Sequence, residues 1–471
     1  MNEMIKWTAR QAVDRLRTGD VQSLDLIDAA EKRISEVEGA LNALPTLCFD
    51  RAREAAKNYK RPDDPAAGHL FGLPIAIKDL IDVAGVRTTY GSPIFSDQVP
   101  ERSDIEVETL EAAGGIVVAK ANTPEFGAGA QTFNEVFGVT RNPWNTDMTP
   151  GGSSGGSAVA VTAGEVWLAA GSDLGGSLRI PASFTGSVGL RPSPGRVARG
   201  PVEMPFMPNS VEGPMGRTVG DVALMSDAMA GMHPHDPISL SRPDTPFLSA
   251  VENARPPKRV AFSMDLGISP VHPHVRDQVE KGLDFFRAMG TEIVESKIDF
   301  SDAEPVFQVL RAAQFAAGKA ELLQTHRDQL KPEVIWNIEQ GLKLTAEDIG
   351  KAERARGRLY HEFTAQFADV DLFVCPTVNT PPFDCQTRYL EELEGVAFES
   401  YISWLVLTFA LTLTTCPAIS VPCGFTPDGL PVGLQLVGPS RDEHAVFSGA
   451  EMFEQAAGIA QMLPIDPRQG S

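Results

Sequence analysis

The residues best suited to chemistry lie in two glycine-serine segments. These are Gly151-Gly152-Ser153-Ser154-Gly155-Gly156-Ser157 and Gly171-Ser172-Asp173-Leu174-Gly175-Gly176-Ser177-Leu178-Arg179. Glycine lets the backbone turn sharply and brings bare N–H groups close to another atom. Serines in such backbone suggest nucleophilic attack on a carbonyl, with main-chain donors holding the charge that develops. A serine hydroxyl needs a base within hydrogen-bond reach. None of the eight histidines lies in or near either segment. His233-Pro234-His235 and His272-Pro273-His274 sit among prolines and short loops and read as solvated turns. Lysine serves as a base instead once burial lowers its pKa. Lys78 ends the apolar stretch Leu73-Pro74-Ile75-Ala76-Ile77 and is the candidate. Taken alone, a lysine at a strand end is more often a surface charge.

The surrounding elements suit that chemistry. Leu73–Ile77 alternates like a strand. Val107–Ala113 reads as a helix stopped by Gly114-Gly115, and Ile116–Ala119 as a short strand. Asn122-Thr123-Pro124-Glu125 has a helix-start signature. Ala158–Ala163 suits a closely packed helix presenting its N-terminus to the serines, and Val166–Ala170 a buried strand delivering the second segment. Strand alternating with helix implies a mixed or parallel sheet covered by helices. Toward the N-terminus, Ser23 opens a helical pattern ended by Pro45, and Asp50–Tyr59 reads as another helix. Val275–Met289 and Ser301–Phe367 read as largely helical, and strand texture returns over Thr412–Val437.

Composition narrows the function classes. The chain has 471 residues, 42% hydrophobic and 22% charged, enough to bury a large core. Its net charge of −21 disfavours nucleic acid and anionic lipid as partners. Five widely spaced cysteines support neither a disulfide framework nor a zinc site. Met1–Arg10 lacks a hydrophobic signal core, and the apolar stretch Trp404–Leu413 is too short to span a bilayer. The expectation is a soluble cytoplasmic protein.

Several long motifs now occur in one order. They are Gly72-Leu73-Pro74-Ile75-Ala76-Ile77-Lys78-Asp79, Arg141-Asn142-Pro143-Trp144, Thr149-Pro150 with the first glycine-serine segment, and then the second segment. Pro417-Ala418-Ile419-Ser420-Val421-Pro422 and Gly429-Leu430-Pro431-Val432-Gly433 follow near the C-terminus. Together they resemble the amidase signature family. The resemblance implies an α/β fold, a large mixed central β-sheet covered by helices on both faces, with a helical insertion or cap. It implies a single domain over residues 1–471. N-terminal helices would fill about 5–65, the signature core about 66–200, the variable helical cap about 230–400 and the C-terminal core return about 405–460.

The resemblance also implies a Ser–cis-Ser–Lys triad. Ser177 is then the acyl-accepting nucleophile, Ser153 the relay after a cis peptide bond, and Lys78 the base, neutral at rest. Backbone N–H groups of Leu174, Gly175, Gly176 and Ser177 form the oxyanion hole. Ser154, Asp173 and Arg179 support the loop, with an ion pair between Arg179 and Asp173 or another acid. The implied reaction is hydrolysis of a small-molecule amide, linear rather than peptidic, through an acyl-enzyme. Neither metal nor organic cofactor is implied, and a homodimer is left open. Ser172 and Leu174 stand where the family often has threonine, and Thr415-Cys416 replaces a commoner glycine-containing pair. Cys416 reads as a small buried hydrophobe. Phe126, Phe184 and Trp336 are candidates for an apolar substrate pocket.

Other readings compete. The first segment also matches G-x-S-x-G, the nucleophile elbow of α/β-hydrolases, with His444 or His361 as base. A phosphate-binding loop is disfavoured because neither segment contains Gly-Lys-Ser/Thr. A non-catalytic scaffold is disfavoured because all three triad residues are present. Within the family, the alternative is the glutaminase subunit of the tRNA-dependent amidotransferase. That subunit usually carries a basic run in the helical region, one arginine of which binds the substrate carboxylate. The corresponding stretch, Glu333–Ile338, has no arginine.

Overall fold

The computed structural model describes residues 1–470. Its centre is an eleven-stranded sheet. In chain order the strands are β1 (Thr46–Leu47), β2 (Leu73–Lys78), β3 (Gly115–Ala121), β4 (Leu168–Asp173), β5 (Val188–Arg191), β6 (Val211–Gly216), β7 (Arg259–Phe262), β8 (Glu292–Glu295), β9 (Leu372–Pro376), β10 (Ala418–Phe425) and β11 (Pro431–Val437). Their spatial order is β1-β3-β2-β4-β6-β5-β10-β11-β9-β7-β8. β3, β2 and β4 pair in parallel, as do β9, β7 and β8. The strands between these trios pair antiparallel, so the sheet is mixed.

Side-chain alternation shows that both faces are covered. In β2, Ile75 and Ile77 join one apolar cluster with Leu26 and Met225, while Ala76 joins another with Ile34 and Val159. In β4, Leu168 and Ala170 join the first cluster and Ala169 the second. Successive residues of a strand point to opposite faces, so each face needs its own helical layer. A strand buried on both faces reads as the near-continuous apolar run seen in β2.

The helix Gly155–Ala163 is buried throughout, and β4 follows directly. Helices Pro273–Ala288, Ala303–Thr325, Pro332–Gly341 and Ala346–Ala365 fill the region expected to be helical. Asn122–Glu125 does not start a helix of any length. One 3₁₀ turn, Glu125–Gly127, forms there, and Phe126 inside it adopts a left-handed conformation, φ 49°. Among the described residues, no helix is long and apolar enough to cross a membrane.

Candidate active site

Lys78 is the last residue of β2 and is fully buried. Its strand pairs with β4 through Ile75–Leu168 and Ile77–Ala170, which brings Lys78 beside the end of β4, where the second glycine-serine segment begins. The ammonium donates to Ser153 Oγ at 2.7 Å and to Ser172 Oγ at 3.0 Å. The Gly152–Ser153 peptide is cis. The two segments are joined directly. Ser154 N donates to Ser177 O at 3.1 Å, and Ser154 Oγ donates to Ser172 O at 3.2 Å. Lys78, Ser153 and the backbone of Ser177 therefore belong to one connected cluster.

A second buried lysine shows what is special about the first. Lys120 lies on the neighbouring strand, and its ammonium meets Asp79 Oδ1 at 3.0 Å and Thr88 Oγ1 at 2.6 Å. Lys78 contacts only neutral oxygens. Burial without a carboxylate partner disfavours an ammonium strongly. Burial pulls the Lys78 pKa from an ordinary 10.5 to about 7, against the opposing influence of Glu212, Asp173 and Glu106. Glu106 is itself buried, and neither carboxyl oxygen has a partner among the described residues. Burial, with Glu212 and Asp104 nearby, pushes Glu106 well above the usual carboxylate range. A protonated Glu106 adds no charge that would hold a proton on Lys78.

Asp173 and two arginines brace the second segment. Asp173 accepts from Arg179 Nε at 3.0 Å and Nη2 at 3.0 Å, and from Arg191 Nη1 at 3.2 Å. All three side chains are buried. Burial alone would raise the Asp173 pKa, but Arg179 and Arg191 outweigh it and hold the carboxyl well below the usual range. Arg179 also donates to Thr408 O, Thr412 Oγ1 and Gln435 Oε1. The C-terminal return of the chain thus clamps the loop that carries Ser177.

One expected donor is already committed. Gly176 N donates to Asp173 Oδ1 at 2.8 Å, and one N–H cannot serve two acceptors well. Of the N–H groups expected to form an oxyanion hole at Leu174, Gly175, Gly176 and Ser177, that of Gly176 is thus engaged within the loop. Gly176 also has a steric role. Its φ is +128°, and a Cβ there would lie 2.3 Å from Thr408 Oγ1. Close approach also explains Gly156, where a Cβ would lie 2.3 Å from Asn122 N.

The aromatic candidates separate. Phe126 lines a cavity of about 570 Å³ beside Leu80. Trp336 lines a different cavity, of about 730 Å³, with Gln308 and Val406. Phe184 lines neither: it is a core residue, with its ring stacked on Trp404. Cys416 is likewise buried. His272 caps its helix by accepting from His274 N, and His233 accepts from His235 N within a turn. His444 bonds Thr245 O, and His361 is exposed. Neither of these last two contacts the serines. Sequence reasoning missed Ser172 as a lysine partner, Glu106 and Glu212 as the lysine's electrostatic surroundings, and Arg191 as a partner of Asp173. The register Ser172–Glu212 across β4 and β6 exists only once the strands pair.

Known proteins share this architecture. The amidase family model matches residues 25–447. The chain is 33% identical over 467 residues to an acylamidase of Rhodococcus erythropolis, covering 98% of this chain and 97% of that one. It is 35% identical over 479 residues to a glutamyl-tRNA(Gln) amidotransferase subunit of Synechococcus sp. (strain CC9605), with 96% of each covered. The solved structure of a bacterial aryl acylamidase of the amidase signature family superposes with a TM-score of 0.89 at 26% identity, covering 97% of this chain and 98% of that one. The chain belongs to the amidase signature family, and its fold is that family's mixed sheet with helices.

Proposed function

We propose that this family member hydrolyses linear, non-peptide amides through an acyl-enzyme on Ser177. Ser177 Oγ attacks the amide carbonyl while its proton passes to Ser153 and on to neutral Lys78. The N–H groups of Leu174, Gly175 and Ser177 receive the developing oxyanion. Each such donor contributes about 10²–10³ in rate. The C–N bond then breaks, and the leaving amine takes the proton back through Ser153. Water enters, gives its proton to the same relay and attacks the ester. The acid leaves and Ser177 regains its proton. The observation that carries this reading is the buried Lys78 Nζ at 2.7 Å from Ser153 Oγ with no carboxylate partner. A panel of aliphatic, aryl and amino-acid amides tests it, with Ser177→Ala as control. Turnover of at least one class, lost in the variant, is expected. Equal turnover by the variant contradicts it.

A glutaminase subunit is the second reading, favoured by the 35% identity to amidotransferase subunits. The helix Pro332–Gly341 contains no arginine, but Arg311 lies beside it and donates to Asn337 Oδ1. Glutaminase activity that appears only on adding partner subunits would favour this reading over a free-standing amidase.

A further inference from the structure

The cavity of about 570 Å³ holds polar groups that the chemistry above does not use. Its walls are largely apolar, with Leu80, Phe126 and Phe315 among them. One of its wall residues, Leu80, lies near the relay serine. A Cβ placed on Gly127 would lie 3.1 Å from Leu80 Cδ1 and 3.3 Å from Ser153 Oγ, so Leu80 and Ser153 converge on the residue that follows Phe126.

Lys319 also lines this cavity, its ammonium 4.1 Å from the centre of the Phe126 ring. No ion pair or hydrogen bond among the described residues holds that ammonium. Burial pulls the Lys319 pKa down, with Glu203 and Glu125 acting the other way. Glu203 and Glu321, which also line the cavity, are both exposed to solvent, whereas Lys319 is half-buried. Two more lining groups are buried and unpartnered: Gln314 Oε1, an acceptor, and Arg199 Nε, a donor. Unpaired buried polar groups are unfavourable until a ligand satisfies them. An ammonium on an aromatic face, at the end of an apolar wall, suits a ligand with an apolar middle and an anionic end.

We propose that this cavity is the substrate-tail pocket and that Lys319 selects amides whose far end carries a carboxylate. Leu80, Phe126 and Phe315 contact the apolar spacer, and Gln314 Oε1 accepts an N–H where the spacer has one. The inference rests on the amidase reading for the reactive end of the substrate, and the test separates the two.

Two amides identical except for a terminal carboxylate or methyl group are the probes. Their binding is measured by calorimetry on Ser177→Ala protein, with and without Lys319→Met or Lys319→Arg. Their kcat/KM is measured on Ser177-intact protein with the same Lys319 variants. The carboxylate compound should bind roughly tenfold or more tightly. Lys319→Met should remove that preference through KM while leaving kcat and the methyl compound within about twofold, and Lys319→Arg should retain it. Equal binding of both compounds, or an unchanged preference in Lys319→Met, overturns the proposal. A binding preference that depends on Lys319, with neither these compounds nor any member of the amide panel hydrolysed, leaves the pocket standing and removes the amidase reading.

Discussion

Lys78 and Lys120 are both fully buried lysines on neighbouring strands, yet they do different things. Asp79 makes Lys120 half of an ion pair. Lys78 has only serine oxygens around it, and burial brings its pKa to about 7. The sign of the pH dependence follows. In the proposed relay, Lys78 protonated below about pH 7 would not take the proton passed by Ser153. Above it, the neutral amine is present and the rate levels off. We therefore expect kcat/KM to rise about tenfold per pH unit up to a bend near 7 and then plateau. A flat profile between pH 5 and 9, measured over roughly that range with an uncharged amide, contradicts this role for Lys78.

The element scale explains why the loop stays in place. Asp173 ends β4 and sits between Arg179 and Arg191, and Arg179 reaches on to Thr412 and to Gln435 of β11. Removing the carboxylate charge leaves two buried guanidinium groups without it. Asp173→Asn should therefore lower unfolding stability by about 3 kcal/mol or more, read by urea denaturation. A loss under about 1 kcal/mol would mean that the arginines have other adequate partners. This is also the scale at which the sequence was most and least legible. The apolar run before Lys78 and the small residues after Ser157 announce β2 and the Gly155–Ala163 helix, because both signals are local. The Asn122–Glu125 signature misleads because Phe126 turns left-handed, and nothing local in the side chains encodes that. The commitment of Gly176 N–H to Asp173 depends on how the loop folds back, three residues later in the chain. Arg191, Glu106 and Glu212 reach the site from other elements, so no motif spacing reveals them.

At the scale of the whole molecule, residues more than two hundred positions apart hold one loop. Thr408, Thr412 and Gln435 meet Arg179, while Lys78 arrives from a strand near the start of the sheet. The long mixed sheet makes this convergence achievable. Its two parallel trios are joined by antiparallel strands, which bring the C-terminal hairpin beside β5 and near the end of β4. We propose that this convergence makes Ser177, and no other serine, the nucleophile, activated by Ser153 and Lys78. The most direct measurement is labelling with a serine-directed fluorophosphonate, followed by peptide mass spectrometry. We expect one adduct, on Ser177, formed about 10²-fold or more slowly in Lys78→Ala and Ser153→Ala. An adduct on Ser153 or Ser172, or labelling of Ser177 at an unchanged rate in Lys78→Ala, would contradict it.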